Sequence, residues 1–151
     1  MTERVLATLE ASGWSPERKV AVAQWTDKLA SEGFTILPEA AKVLQNYGGL
    51  EIKPKKLETD LFALGALRFD PVLAASGEFD RVDYWQQRLH VRFSPIAETA
   101  EGAILLLGED GQAYVCWNQE LWLCGSSLED AFENSLIVAK KKPVEIGRMT
   151  E

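Results

Sequence analysis

The chain has 151 residues, 46% of them hydrophobic, with 16 Lys and Arg against 23 Asp and Glu, a formal net charge of −7. That length suits a single domain, residues 1–151 with a polar tail from about Lys140, that buries roughly two thirds of its unfolded surface. The negative balance argues against nucleic acid and anionic membranes as partners. Cys116 and Cys124 are the only cysteines, too few for a disulfide framework or a structural zinc site, and are read as buried, reduced thiols. No apolar run approaches the ~20 residues of a membrane span, and the start Met1-Thr2-Glu3-Arg4 lacks the apolar core of a signal peptide, so a cytoplasmic location is expected.

In chain order, Thr2 to Ser12 places Val5, Leu6 and Leu9 on one side and ends at Gly13, which predicts a short helix. Ser15-Pro16-Glu17 supplies an N-cap, a first-turn proline and an acid, and Val22, Trp25 and Leu29 share a face up to Gly33, a second and longer helix. Phe34 to Leu37 reads as an extended link into a third helix from Pro38, with Ala40, Val43, Leu44 and Tyr47 in helical register until Gly48-Gly49. Leu50 to Ile52 is a first strand, and Lys53 to Asp60 an exposed loop. Leu61 to Phe69 carries strand-like content broken by Gly65, leaving strand and bent apolar connection both open. Asp70-Pro71 starts a short helix that Gly77 closes, Glu78 to Gln87 shows no clean period, and Leu89 to Phe93 alternates as a half-buried strand ending at Pro95.

The C-terminal third organises the rest. Residues 102–108, 112–117 and 120–124 are apolar runs of strand length, separated by Glu109-Asp110-Gly111 and Asn118-Gln119, whose residue types suit tight hairpin turns. This is a β-meander, and its nearly continuous apolar runs imply a sheet covered on both faces or one that offers a face to a partner. Gly125-Ser126-Ser127 then offers an N-cap, and Leu128, Ala131, Phe132 and Leu136 continue as a helix that can lie on the meander. Helices first, a meander next and a closing helix together predict an α+β fold with an antiparallel-dominated sheet of about five strands.

The same region holds the main electrostatic signal. Between Phe93 and Ala139 there is no Lys, Arg or His but there are eight acids, so the other residues hold 15 acids against all 16 bases. Such a one-signed field would attract a basic protein. Glu129, Asp130 and Glu133 are partly explained by the helix dipole. Meander topology would bring Glu109, Asp110, Glu129 and Asp130 to one end of the sheet and Glu98, Glu101 and Glu120 to the other. Trp117 and Trp122 belong either to the core or to an exposed partner-binding face.

Catalytic machinery is hard to assemble from these residues. His90 is the only histidine and reads as a strand residue, Ser126 and Ser127 are explained by capping, and there is no phosphate loop, dinucleotide fingerprint or metal-ligand spacing. Lys53-Pro54-Lys55-Lys56 and Lys140-Lys141-Lys142 lack the interleaved aromatics of a single-strand binder. The residues thus indicate a binding module with no cofactor, not an enzyme.

Several segments, in this order, resemble the third subgroup of the SUKH superfamily: Gly13-Trp14-Ser15-Pro16-Glu17-Arg18, Tyr47-Gly48-Gly49-Leu50, Asp70-Pro71, Ser94-Pro95-Ile96-Ala97-Glu98, Asp110-Gly111-Gln112-Ala113-Tyr114 and Gly125-Ser126-Ser127-Leu128-Glu129-Asp130-Ala131. Ala97 stands where the family pattern leads one to expect glycine. The resemblance implies a small α+β immunity protein encoded beside a secreted or contact-delivered bacterial toxin, binding it in the cytosol to block its active site. Many such toxins are nucleases or deaminases with basic surfaces, which agrees with the charge pattern. Other relatives resemble interaction scaffolds, so the alternative is an adaptor with no toxin partner. The expected contact residues are Glu98, Glu101, Glu109, Asp110, Trp117, Glu120, Trp122, Glu129 and Asp130.

Overall fold

Helix α1 (Glu3–Ala11) begins where the Thr2 side chain accepts a hydrogen bond from the Val5 amide at 3.3 Å, and it buries Val5 and Leu9. The computed structural model describes residues 1–150. Helix α2 (Ala23–Ser31) buries Trp25 and Leu29, and α3 (Pro38–Tyr47) starts on its proline as expected.

The second helix is shorter than the sequence suggests because a side chain 30 residues away competes for its first turn. Asn46 donates to the carbonyls of Ser15, Pro16 and Arg18 and accepts the Trp14 indole N–H at 2.7 Å, while Val20 N–H reaches Gln45 O. Arg18 in turn donates to the carbonyls of Asn46 and Gly48. These bonds hold residues 14–20 in turns and leave Ser15-Pro16 without a helix to cap. Replacing Asn46 with alanine would orphan the buried Trp14 N–H and loosen this corner, an expected loss of about 2 kcal/mol in urea unfolding. An unchanged midpoint would show that water replaces Asn46 at no cost.

Strands β1 (Glu51–Ile52) and β2 (Leu67–Arg68) form a short hairpin, and α4 (Pro71–Ala75) follows, capped by Asp70, which accepts from Leu73 N–H at 3.0 Å. The segment left open between strand and connection is mostly connection, with strand only at its end. The stretch without a clean period is a helix, α5 (Phe79–Leu89), whose narrow buried stripe is Val82 and Trp85. His90 caps it in the left-handed region at φ 54°, so the expected strand at residues 89–93 does not form.

Strand β3 (Phe93–Glu98) instead runs through Pro95. Proline is tolerated there because β2 pairs with β3 only at Glu98, leaving no donor needed on that edge, and a register shift falls between Pro95 and Ala97. Ser94 braces the same edge, donating to Thr35 O at 2.6 Å and accepting from Leu37 N–H at 2.8 Å. The meander then follows as β4 (Ile104–Gly108), β5 (Ala113–Trp117) and β6 (Glu120–Gly125), with Gly111 at φ 82° and Asn118 at φ 51° in the turns. Helix α6 (Leu128–Ala131), capped by Ser127, continues into a π-helical turn (Phe132–Leu136).

Two further expectations need correction. The sheet has seven antiparallel strands in the order of the chain, not about five, and the polar tail expected from about Lys140 holds a strand, β7 (Val144–Arg148), which pairs with β6. The alternate residues Val144 and Ile146 of β7 stay exposed instead of joining the core, and the strand is anchored by its backbone ladder to β6 and by the Arg148–Glu120 pair.

Both faces of the sheet are covered, which accounts for the continuous apolar runs. Leu105, Leu107, Ala113 and Cys124 pack with α1, α3, α6 and the π-helical turn, while Ile104, Leu106, Tyr114, Cys116 and Leu121 pack with α4 and α5. Helix α2 contributes Trp25 to the first cluster and Leu29 to the second, so it bridges the layers. Asp60 ends the otherwise exposed 53–59 loop but is itself buried, ion-paired to Arg4 at 2.6 Å. No helix among the described residues is long and apolar enough to cross a membrane.

Candidate functional site

One end of the sheet is left partly open. The β5–β6 register sets Val115 opposite Trp122 and Trp117 opposite Glu120, so alternation puts both indoles on one face, beyond the reach of α6. Trp117 is 41% exposed and Trp122 half-buried. Over this face runs the extended segment 61–66, which turns Phe62, Leu64 and Ala66 inward while Leu61, Ala63 and Gly65 are exposed. It is tied down by Leu61 N–H to Ala139 O at 2.8 Å and by the approach of Gly65 to Ala100, where an added Cβ would stand 2.2 Å from the alanine Cβ. Between this strap and the indoles lies a cleft of about 400 Å³, closed by Ala103, Leu136 and Pro143 and edged by Glu101 and Lys142.

Trp117 and Glu101 also border a second, polar recess of about 700 Å³. Within it Arg81 pairs with Glu78 at 3.1 Å and donates to Asn118 O at 2.7 Å, and Arg148 of β7 pairs with Glu120.

The expected acidic groups fall at two ends of the sheet, as meander topology requires, but they differ in what they can offer a partner. At the Gly125 end, the register Ala113↔Gly125 brings the 109–112 turn beside the start of α6. There Glu109 accepts the Arg92 backbone N–H at 3.0 Å and pairs with its guanidinium at 3.3 Å, which together hold its carboxyl below the usual range. Burial pushes the Asp110 carboxyl up, but bonds from the Tyr114 hydroxyl at 2.6 Å and from Gln112 outweigh it and leave the group lowered. The Tyr114 phenol is raised to about 12, first by burial and then by that bond. Asp130 accepts from Ser126 and Asn134, closing the start of α6, and Glu133 holds Thr2.

At the other end, Glu120 is buried in its pair with Arg148, and Glu98 faces Arg68 across the β2–β3 ladder. Glu101 and Glu129 take part in no ion pair among the described residues. Of the nine expected contact residues the structure therefore gathers Trp117, Trp122 and Glu101 around one cleft. It commits Glu109 and Glu120 to arginines and Asp110 and Asp130 to local caps. Phe62, Leu64 and Lys142, which complete the cleft, were not among the expected residues; residues 61–67 are apolar throughout, so no polar alternation in the sequence singles out Phe62 and Leu64.

The nucleophilic side chains are quiet. Cys116 and Cys124 are free and buried, and burial raises their thiols to about 11 and about 12, so both are protonated at neutral pH. His90 is exposed at its helix cap. Among the described residues no group of three or more His, Cys, Asp or Glu is placed to hold a metal ion.

No curated protein matches this chain, and no solved structure does. A family model described as SUKH-3 immunity protein matches residues 1–137, which takes in every helix and β1 to β6 and stops short of β7. On that match the chain belongs to the SUKH-3 immunity protein family.

Proposed function

We propose that this chain neutralises a basic bacterial toxin, a nuclease or deaminase in class, by docking it at the open end of the sheet beside Trp117, Trp122 and Glu101. It acts in the cytoplasm by occlusion, not turnover. The single observation that carries this reading is the junction of an apolar cleft, bordered by two accessible indoles, with a carboxylate that has no ion-pair partner among the described residues. Aromatic anchors in a desolvated pocket supply most of the affinity at an interface, whereas carboxylates around it mainly speed encounter with a cationic partner. Glu98 and Glu129, with the exposed Glu109-Asp110 turn, add to that long-range field even where they do not touch the partner. Both protonated thiols and the apolar lining of the cleft support binding over catalysis.

Co-expression with the toxin domain encoded by a neighbouring gene tests this. The wild-type chain is expected to rescue growth, and Trp117→Ala to weaken the purified complex by about 30-fold or more, the size of an aromatic hot spot. Rising salt should slow association more than it speeds dissociation. A gene with no toxin neighbour, together with a partner whose binding ignores Trp117 and salt alike, would replace this reading with that of a scaffolding adaptor.

A further inference from the structure

We infer that the cleft takes one aliphatic side chain of the partner, followed in its sequence by a cationic residue that settles between the Trp117 ring and Glu101. This rests on the docking reading above and names the chemistry of the segment that fills the site. Three observations converge on it. The cleft is apolar, and about 400 Å³ admits an aliphatic side chain of leucine size with space to spare. Trp117 and Glu101 border both this cleft and the polar recess beside it, so a residue next to the anchor leaves the apolar space across an indole and a carboxylate. A guanidinium there gains a cation–π contact and an ion pair at once, and Glu101 has no ion-pair partner to give up among the described residues. An acidic neighbour would instead meet a recess with three carboxylates, Glu78, Glu101 and Glu120, against two arginines, Arg81 and Arg148, each already paired with one of them.

The test uses capped dipeptides as probes and the indole N–H resonances of the chain as the readout. N-acetyl-Leu-Arg-amide should shift the Trp117 and Trp122 signals with millimolar affinity and bind about five-fold more tightly than N-acetyl-Leu-Glu-amide, the size of a surface ion pair. In Glu101→Gln that preference should vanish while leucine-dependent binding persists, a result that a misfolded variant could not give. Equal affinity for the two probes, shifts confined to residues 109–112 and 126–130, or no shift up to about 20 mM would each overturn the inference. A wild-type chain that rescues cells from its toxin yet shows neither dipeptide response would keep the docking reading and discard this anchor.

Discussion

Asp60→Ala is expected to destabilise the folded chain by about 3–5 kcal/mol, the range for removing one partner of a buried ion pair. The Asp60 carboxylate accepts both terminal nitrogens of Arg4, at 3.0 and 2.6 Å, and also the backbone N–H groups of Leu57 at 2.7 Å and Ala139 at 3.2 Å. One side chain thereby joins α1, the 53–60 loop and the chain leaving the π-helical turn, next to the Leu61–Ala139 bond that ties down the strap. Its removal from a position only 4% exposed leaves the Leu57 and Ala139 amides unpaired, and leaves the Arg4 guanidinium only its bond to Lys55 O. Urea unfolding at neutral pH measures the loss; a midpoint within error of wild type would refute it.

The same carboxylate sets an acid limit on stability. The Arg4 guanidinium, with the Leu57 N–H next in weight, holds the Asp60 carboxyl far below its usual range. With the folded value depressed, the contribution is complete above the unfolded value near 3.9 and is lost as pH falls from there through the folded value. The wild-type midpoint should therefore drop below about pH 4 more steeply than that of Asp60→Asn, which has no proton to gain.

Gly125→Ala should cost about 3 kcal/mol or more, and for a different reason. A β-carbon at this position would stand 2.4 Å from the Ala131 nitrogen and 2.8 Å from its Cα, with the Asp130 carbonyl carbon at 3.0 Å. All three are backbone atoms of α6, so no side-chain rotation relieves the overlap and the helix must lift from β6. Gly111→Ala provides the contrast. Its β-carbon would meet nothing within 4 Å, and the cost is only that of a left-handed residue at φ 82°, about 1 kcal/mol. Thermal unfolding should separate the two variants by several degrees. If they melt together, the close packing of α6 on β6 is not what Gly125 serves.

The parts of this fold that were legible in sequence are those decided within a few residues. Thr2, Asp70 and Ser127 cap helices as their residue types predict, and Gly111 and Asn118 turn the meander through positive φ. What escaped was decided at a distance or diluted by polar neighbours. Ser15-Pro16 has every local mark of a helix start, but Asn46 takes its carbonyls. Phe79, Val82, Trp85 and Leu89 do recur at three- and four-residue steps, yet the charged residues between them blur the stripe, and α5 went unseen. The candidate site divided in the same way. Trp117 and Trp122 could be named from an apolar hairpin, whereas the arginines that engage Glu109 and Glu120 stand 17 and 28 residues away.

The bonds from Thr2 to Glu133 carry a consequence for synthesis. Thr2, which caps α1, anchors to Glu133 in the π-helical turn, the last helical turn before β7, through two contacts of 2.7 Å. Each strand of the meander can zip onto its predecessor as it emerges, because neighbours in sequence are neighbours in the sheet. Helix α1 cannot complete its docking until the π-helical turn has left the exit tunnel. A chain cut short before Glu133 would thus leave Thr2 without its partner and α1 undocked, prey for proteases.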